Sequence, residues 1–150
     1  MTMNKIYILI LLSVGFLAVS CEKYDEGGSV KKADKTIEGT WKLTGYLRDG
    51  TDEMTLVSIS GFTEIFTAPD TYTRKYTEED GTVHDDTGTF KFATDNLSVN
   101  ISGVSSINNF SAANSTVSSS TYTILKLSGS EFWYQYENGG NLHQFRMTKQ

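Results

Sequence analysis

Acidic and imidazole side chains are the first candidates for chemistry in this sequence. Asp85 and Asp86 form a carboxyl pair, and paired carboxyl groups are what glycoside hydrolysis requires. Neighbouring residues of a strand point to opposite faces of a sheet, so these two cannot act as acid and base on one bond. We therefore expect both to be solvated charges near a hairpin.

Metal ligands are scarce as well. The acidic run at residues 78–80 is followed by Gly81, which is typical of a turn, and it lacks the ligand spacing of a calcium loop. The two histidines, His84 and His143, have no second histidine or cysteine at a metal-binding spacing. We predict neither a metal site nor a cofactor.

Nucleophilic catalysis has no support in the serines. None of them stands in a G-x-S-x-G turn, and the three at residues 118–120 belong to a low-complexity stretch. The sequence offers no set of nucleophile, base and orienting group, so we predict that the protein is not an enzyme.

The N-terminus has the order of a secretory signal peptide. Lys5 precedes an apolar run of 15 residues, 6–20, and acidic residues follow it. That run is shorter than the roughly 20 residues that a membrane-spanning helix needs. We predict that residues 1–20 are a cleaved leader.

The lone cysteine follows this leader directly. Residues 17–21, LAVSC, resemble the lipobox of bacterial lipoproteins, with Ser20 before Cys21 and Ala18 where leucine is more frequent. The resemblance implies that Cys21 carries diacylglycerol, becomes the N-terminus and anchors the protein in a membrane. The alternative is a free thiol or an intermolecular disulfide.

The charged residues after Cys21 suggest a location. Residues 22–26 resemble the signals that send lipoproteins of the Bacteroidetes to the outer face of the outer membrane; the alternative is the plain start of a tether. The expected location is the outer membrane, either on its periplasmic side or at the cell surface. Residues 21–35 hold few apolar side chains, which predicts a flexible tether. The net charge of −5, or −6 without the leader and its Lys5, disfavours nucleic acid as a partner.

Residues 36–150 carry the pattern of strands. Between residues 37 and 47 the odd positions are apolar or small and the even ones mostly polar, which predicts a strand with one buried face. Turn residues such as Asp49-Gly50 and Gly139-Gly140 separate further short runs. We predict eight or nine strands, the later ones at 54–60, 63–68, 71–78, 88–93, 97–104, 121–128, 131–137 and 142–148.

So many strands must close on themselves to bury their apolar face. Their sequential hairpins favour an all-β, antiparallel up-and-down barrel of about eight strands over a Greek-key sandwich. No window shows helical spacing of apolar residues, apart from a short turn that is compatible with residues 105–113.

The opening of this domain is similar to the G-x-W first strand of lipocalins, and especially of small lipocalin-like lipoproteins of the Bacteroidetes. Gly39 and Trp41 carry that motif, and residues 88–92 and 125–134 resemble the same family. The resemblance implies structural roles for Gly39 and Trp41. It also implies a basic residue packed over Trp41, either Arg146 or Lys149; Arg146 needs a bulge to reach it if Phe145 faces inward.

A lipocalin-like barrel implies a noncatalytic protein that binds a small apolar or amphipathic molecule at one open end. The alternative is a protein-interaction or inhibitor module whose barrel is filled by its own side chains. Residues 105–120 are predicted either to cover the mouth of the barrel or to be a surface loop without a role. The candidate ligand-binding residues are the bulky aromatic ones: Tyr72, Tyr76, Phe90, Phe110, Phe132, Tyr134 and Tyr136.

Overall fold

The computed structural model describes residues 23–108, 110–111, 116 and 121–150. The leader, Cys21 and the serines at 118–120 lie outside the described residues. Within the described part of the chain, one helix and nine strands follow one another: α1 (Ala33–Ile37), β1 (Gly39–Arg48), β2 (Thr51–Asp52), β3 (Ser60–Thr67), β4 (Thr71–Thr77), β5 (Val83–Phe92), β6 (Ser98–Ser102), β7 (Thr121–Leu127), β8 (Glu131–Asn138) and β9 (Asn141–Lys149).

Eight of these strands form a closed antiparallel barrel. From β3 to β9 each strand pairs with the next one in the chain, and β1 pairs with both β3 and β9, which closes the sheet. The short β2 pairs only with the end of β1. The prediction of an all-β up-and-down barrel is confirmed.

Tight hairpins set this topology. Asp49 and Gly50 have φ values of 49° and 79°, and Gly139 and Gly140 have 60° and 80°. Positive φ at both central residues is typical of the two-residue turns whose twist matches that of antiparallel strands. The dipeptides that the sequence offers as turn signals therefore join β1 to β2 and β8 to β9.

Alternating side chains fill the inside of the barrel. On β8 and β9 the inward positions hold Phe132, Tyr134, Tyr136, Phe145 and Met147, all at most 4% exposed. The rings of Tyr134 and Phe145, which are register partners, stack with centroids 5.0 Å apart. Aromatic stacking of this kind adds to the burial of apolar surface in holding the strands together.

The first strand departs from the alternation that its sequence predicts. Trp41 and Leu43 face inward as expected, but a bulge between Leu43 and Gly45 shifts the parity. Tyr46 is consequently the next buried residue, at 0% exposure, and Leu47 turns away from the interior. A bulge places an extra residue in one strand, so inward and outward positions exchange beyond it.

The strand predicted at residues 54–60 is wrong over most of its length. Met54–Leu56 form one turn of 3-10 helix, and β3 begins only at Ser60. The carboxylate of Glu53 lies 2.6 Å from Nη2 of Arg48 and accepts a hydrogen bond from Ser111. These tertiary contacts hold the link between β2 and β3 across the rim.

The N-terminal segment packs on the barrel over most of the predicted tether. Tyr24 and Val30 are 3% exposed and Ala33 is fully buried, and the backbone N–H of Glu26 donates to the carbonyl of Leu125. α1 then covers the end of the barrel where β1 begins, which we call the closed end. The opposite end, where β1 stops, is the mouth. Residues 23–35 of the expected tether thus pack on the barrel, and residues 21 and 22 lie outside the described residues.

Candidate functional site

Three charged residues on adjacent strands meet inside the barrel. The Cα register pairs Glu64 of β3 with Arg74 of β4, and Arg74 with Asp86 of β5. Glu64 and Arg74 are both 0% exposed, and directly opposed residues have Cβ atoms about 5 Å apart. Charged residues are almost never fully buried without partners, so this row is the most unusual feature of the interior.

The carboxyl group of Glu64 is half satisfied. Oε1 accepts hydrogen bonds from the hydroxyls of Tyr72, at 2.7 Å, and Tyr134, at 2.9 Å. Oε2 has no hydrogen-bond partner in the part of the chain that the structure describes. Burial raises the pKa of Glu64 to about 7, against the opposing effects of the two tyrosine hydroxyls and of the Arg74 charge.

Arg74 is satisfied on one side only. Its Nη2 lies 3.3 Å from Oδ2 of Asp86 and also donates to the carbonyl of Ser105. No described residue forms a hydrogen bond with Nε or Nη1. Since Oε2 of Glu64 is also without one, these two opposed groups do not bond each other.

Tyrosines complete this site. Tyr122 stacks on Tyr134 with ring centroids 4.2 Å apart, and its hydroxyl lies beside those of Tyr72 and Tyr134. Burial raises the pKa of all three phenols, which therefore stay protonated near neutral pH. We call Glu64, Arg74, Tyr72, Tyr122 and Tyr134 the inner polar cluster.

An aromatic layer lies between this cluster and the mouth. Phe110, at 0% exposure, packs against Tyr46, Phe62 and Phe145 with centroid distances of 4.9, 5.7 and 5.4 Å. The hydroxyl of Tyr46 lies 2.8 Å from Nδ1 of His143, and burial lowers the pKa of that imidazole. Phe110, which belongs to the segment predicted to cover the mouth, therefore lies there.

The closed end is built around Trp41. Its Nε1–H donates to the carbonyl of Ile37 at 2.6 Å, and Nζ of Lys149 lies 5.1 Å from its ring centroid. Gly39 has φ of 126°, and a Cβ there would come 2.6 Å from Cε of Lys149. Gly39 and Trp41 thus both lie against Lys149 at the closed end.

Of the two basic residues expected over Trp41, Arg146 and Lys149, the prediction of Arg146 is wrong. Arg146 lies outside the barrel over Trp133, 4.7 Å from the ring centroid, because Phe145 and Met147 occupy the inward positions of β9. Lys149 is the residue that covers Trp41.

Residues 37–134, from the closed end to the strand that carries Tyr134, match the family of lipocalin-like domains. The chain belongs to the lipocalin-like family. The resemblance carried by Gly39 and Trp41 is confirmed, since both lie within the matched span. No curated protein matches the sequence.

Solved structures resemble this lipocalin-like protein in fold. A lipocalin-like protein from Bacteroides uniformis is 18% identical, with a TM-score of 0.55 over 77% of this chain and 99% of that chain. A protein from Bacteroides eggerthii is 13% identical, with a TM-score of 0.48 over 76% and 99%. Apocrustacyanin C2 is 13% identical, with a TM-score of 0.43 over 80% and 64%. The first of these supports the lipocalin-like fold.

Sequence reasoning placed the aromatic lining of this lipocalin-like barrel correctly but missed its charges. All seven aromatic residues proposed as ligand contacts are at most 6% exposed and belong to the core; their contact with a ligand stays a prediction. Glu64 and Arg74 were overlooked. The signal was available, because Glu64 alternates with Phe62 and Phe66 on the inward side of β3.

The carboxylates considered for catalysis take separate places. Asp86 pairs with buried Arg74, whereas Asp85 points outward to Lys75, 2.6 Å away. The two faces are those predicted, but Asp86 is a partner of a buried charge rather than a solvated one. His84 lies 2.9 Å from Glu78, and no group of three metal-ligating side chains occurs among the described residues.

Two further observations concern the outside of the lipocalin-like barrel. A surface cleft of about 370 Å³ lies beside α1 and is bordered by Lys35, Glu38, Pro69, Lys91 and Phe92. Its mixed charges and open shape select no ligand class. Among the described residues, no helix is long and apolar enough to cross a membrane.

Proposed function

We propose that this protein is a noncatalytic binding protein that holds one small amphipathic molecule inside its barrel. The observation that carries the proposal is the inner polar cluster, where Oε2 of Glu64 and two nitrogens of Arg74 are fully buried and have no hydrogen-bond partner among the described residues. Each buried polar group left unpaired costs about 1–3 kcal/mol, and more when it is charged. A ligand that pairs with these atoms removes that cost.

The aromatic layer above the cluster supports an apolar part of the same ligand. Phe110 comes from the segment between β6 and β7 rather than from a barrel strand, and it lies among Tyr46, Phe62 and Phe145. Its withdrawal would leave a ring-sized apolar space directly above the polar atoms. Pockets with an apolar lining and a few convergent polar groups are typical of small-molecule sites.

The first test is native mass spectrometry of residues 23–150, which contain the whole barrel, produced in the natural host. The expected spectrum contains a species heavier than the apoprotein by one small molecule, and Arg74→Met should lose it. Lys75→Met is the matched control, because Lys75 is the next residue of β4 and faces solvent. A spectrum of apoprotein alone from the host contradicts small-molecule binding.

A second candidate function is a protein-interaction or inhibitor module. It is favoured by the dense aromatic filling, in which Phe110 already occupies the mouth, and by Val83, an apolar residue 73% exposed at the mouth end of β5. Capture of one envelope protein by the apoprotein, abolished by Val83→Asp, would establish this function instead.

We also propose that the protein is an outer-membrane lipoprotein anchored through Cys21. The proposal is supported by the lipobox resemblance of residues 17–21 and by the charged residues 22–26. Metabolic labelling with an alkyne fatty acid should mark the wild type in the outer-membrane fraction and should not mark Cys21→Ala. Protease treatment of intact cells then separates the cell surface from the periplasmic side.

A further inference from the structure

The opposed side chains of Glu64 and Arg74 form an incomplete pair. They are register partners on neighbouring strands, yet Arg74 makes its ion pair with Asp86 and Glu64 accepts only from tyrosines. Among the described residues, the polar atoms of the inner polar cluster left without a partner are one acceptor, Oε2 of Glu64, two donors, Nε and Nη1 of Arg74, and the hydroxyl of Tyr122.

We infer that the ligand carries a neutral polar group with an acceptor and a donor side by side, such as a primary amide, held between Arg74 and Glu64. This inference rests on the proposed binding function and names its ligand class. The carbonyl oxygen of such a group accepts from the guanidinium of Arg74, and its N–H donates to Oε2 of Glu64. The unpaired atoms of Glu64 and Arg74 are then satisfied, as buried polar groups require.

Charged alternatives fit this arrangement less well. A carboxylate accepts from Arg74 but meets a second carboxylate in Glu64, and an ammonium group donates to Glu64 but meets the cation of Arg74. An ester accepts from Arg74 and leaves Oε2 of Glu64 unpaired. Tyr72, Tyr122 and Tyr134 also face Glu64, and they are protonated near neutral pH, so they add no charge.

The place of the cluster in the barrel defines the rest of the ligand. Arg74 donates to the carbonyl of Ser105, and Phe110, five residues later, packs among the rings of Tyr46, Phe62 and Phe145 on the side of the mouth. A ligand whose polar group reaches Arg74 from the mouth must pass Phe110 and lie among these rings. An apolar chain or ring attached to the amide satisfies that layer.

The test uses four eight-carbon probes that differ only in their polar group: octanamide, octanoate, methyl octanoate and octylamine. Dissociation constants are measured by NMR titration of residues 23–150 at pH 8. Octanamide should bind at least about tenfold more tightly than the other three, because one hydrogen bond to a charged group accounts for roughly that factor. Equal affinities for all four, or tightest binding of octylamine, would overturn the inference.

Glu64→Gln gives the sharper readout because it replaces a free acceptor by a donor. In this variant octanamide should weaken about tenfold and octanoate should strengthen, so that the order of the two probes reverses. A residue with a merely structural role would move both affinities together. Lys75→Met, on the outer face beside Arg74, should leave the wild-type order unchanged.

The outcomes separate the inference from the function on which it rests. If all four probes bind the barrel alike and Glu64→Gln changes nothing, the barrel binds apolar molecules without recognising this group, and only the inference is lost. If no probe binds and the host-derived protein carries no small molecule, the proposed function itself fails. A water held between Glu64 and Arg74 in place of a ligand would give this second result.

Discussion

The carboxyl group of Glu64 is fully buried, and one of its oxygens has no hydrogen-bond partner among the described residues. It gains hydrogen bonds from two tyrosines and lies opposite Arg74, yet burial dominates and raises its pKa to about 7. A buried carboxyl group in an apolar environment binds a proton more readily than one in water. Burial of this carboxyl group therefore lowers the stability of the protein, whereas the proposed ligand binding requires it.

Glu64 should make the stability of the protein fall as the pH rises. Its pKa is about 7 in the folded state against an ordinary value of 4.5, so the folded state holds more protons between these values and stability is lost as the pH rises through them. The shift corresponds to about 3 kcal/mol. Urea unfolding at pH 4.5 and pH 8 should show this loss in the wild type and little of it in Glu64→Gln. Parallel pH profiles for the two proteins would contradict the assignment.

Gly39 should be harder to replace than a glycine that merely turns a hairpin. Its φ of 126° suits glycine almost alone, and a Cβ would also displace Lys149 from Trp41. Gly39→Ala should destabilise the protein by about 1–3 kcal/mol. Gly50→Ala is the control, with φ of 79° and open space around its Cβ position, and about 1 kcal/mol is expected there. Equal losses in thermal unfolding would argue against a role for Lys149.

At the scale of elements, the N-terminal segment shows how burial can come from very few residues. The composition of residues 21–35 is typical of a flexible tether, and its apolar side chains Tyr24, Val30 and Ala33 are too few to form a helical or strand pattern. The segment nevertheless buries Tyr24, Val30 and Ala33 against the barrel. It can do so because its backbone forms hydrogen bonds with the backbone of β7 at Leu125 and Leu127. The local sequence does not show that these backbone groups of β7 are available for pairing.

Removal of this segment should weaken the whole domain. A chain that starts at residue 37 loses the burial of Tyr24, Val30 and Ala33, roughly 3–6 kcal/mol at the usual value for buried apolar side chains. A chain that starts at Lys23 keeps all three. Urea denaturation of the two should give a clearly lower midpoint for the shorter one. Coincident curves would mean that the segment detaches in solution.

Phe110 should control the entry of ligands into the barrel. Phe110→Ala removes the ring that packs between Tyr46, Phe62 and Phe145, and loss of a core phenylalanine costs about 3–5 kcal/mol. Association of octanamide should become faster in this variant, measured by NMR line shapes. Leu56→Ala, at a residue 47% exposed in the 3-10 turn, should affect neither quantity. An unchanged association rate would place the entrance elsewhere.

At the scale of the whole molecule, the sequence predicted the barrel because period-two alternation and turn dipeptides are local signals. It could not predict the bulge at Gly45, which depends on the pairing of β1 with β9, about a hundred residues away. The alternation along β3 and β4 indicates that Glu64 and Arg74 face inward. That they lie opposite each other follows from the register of the two strands. The site is thus a property of the closed barrel rather than of any motif.

The distance between the proposed lipid anchor and the first packed residue orients the molecule. Only Glu22 separates Cys21 from Lys23, a span of at most about 7 Å. Lys23 bridges to Ser29, and the hydroxyl of Tyr24 donates to the carbonyl of Asn96 at the closed end. An anchor on Cys21 therefore holds the closed end against the bilayer and turns the mouth away from it.

Two single-cysteine labels measure this orientation directly. Leu97 lies at the closed end and Val83 at the mouth end of β5, a strand of 10 residues and hence roughly 30 Å long; their side chains are 44% and 73% exposed. If Cys21 carries the proposed lipid, Leu97→Cys and Val83→Cys each offer one free thiol for a fluorophore. In proteoliposomes a lipid-attached quencher should dim the label at residue 97 severalfold more than the label at residue 83. Equal quenching at both positions would mean that the barrel tumbles freely on its anchor.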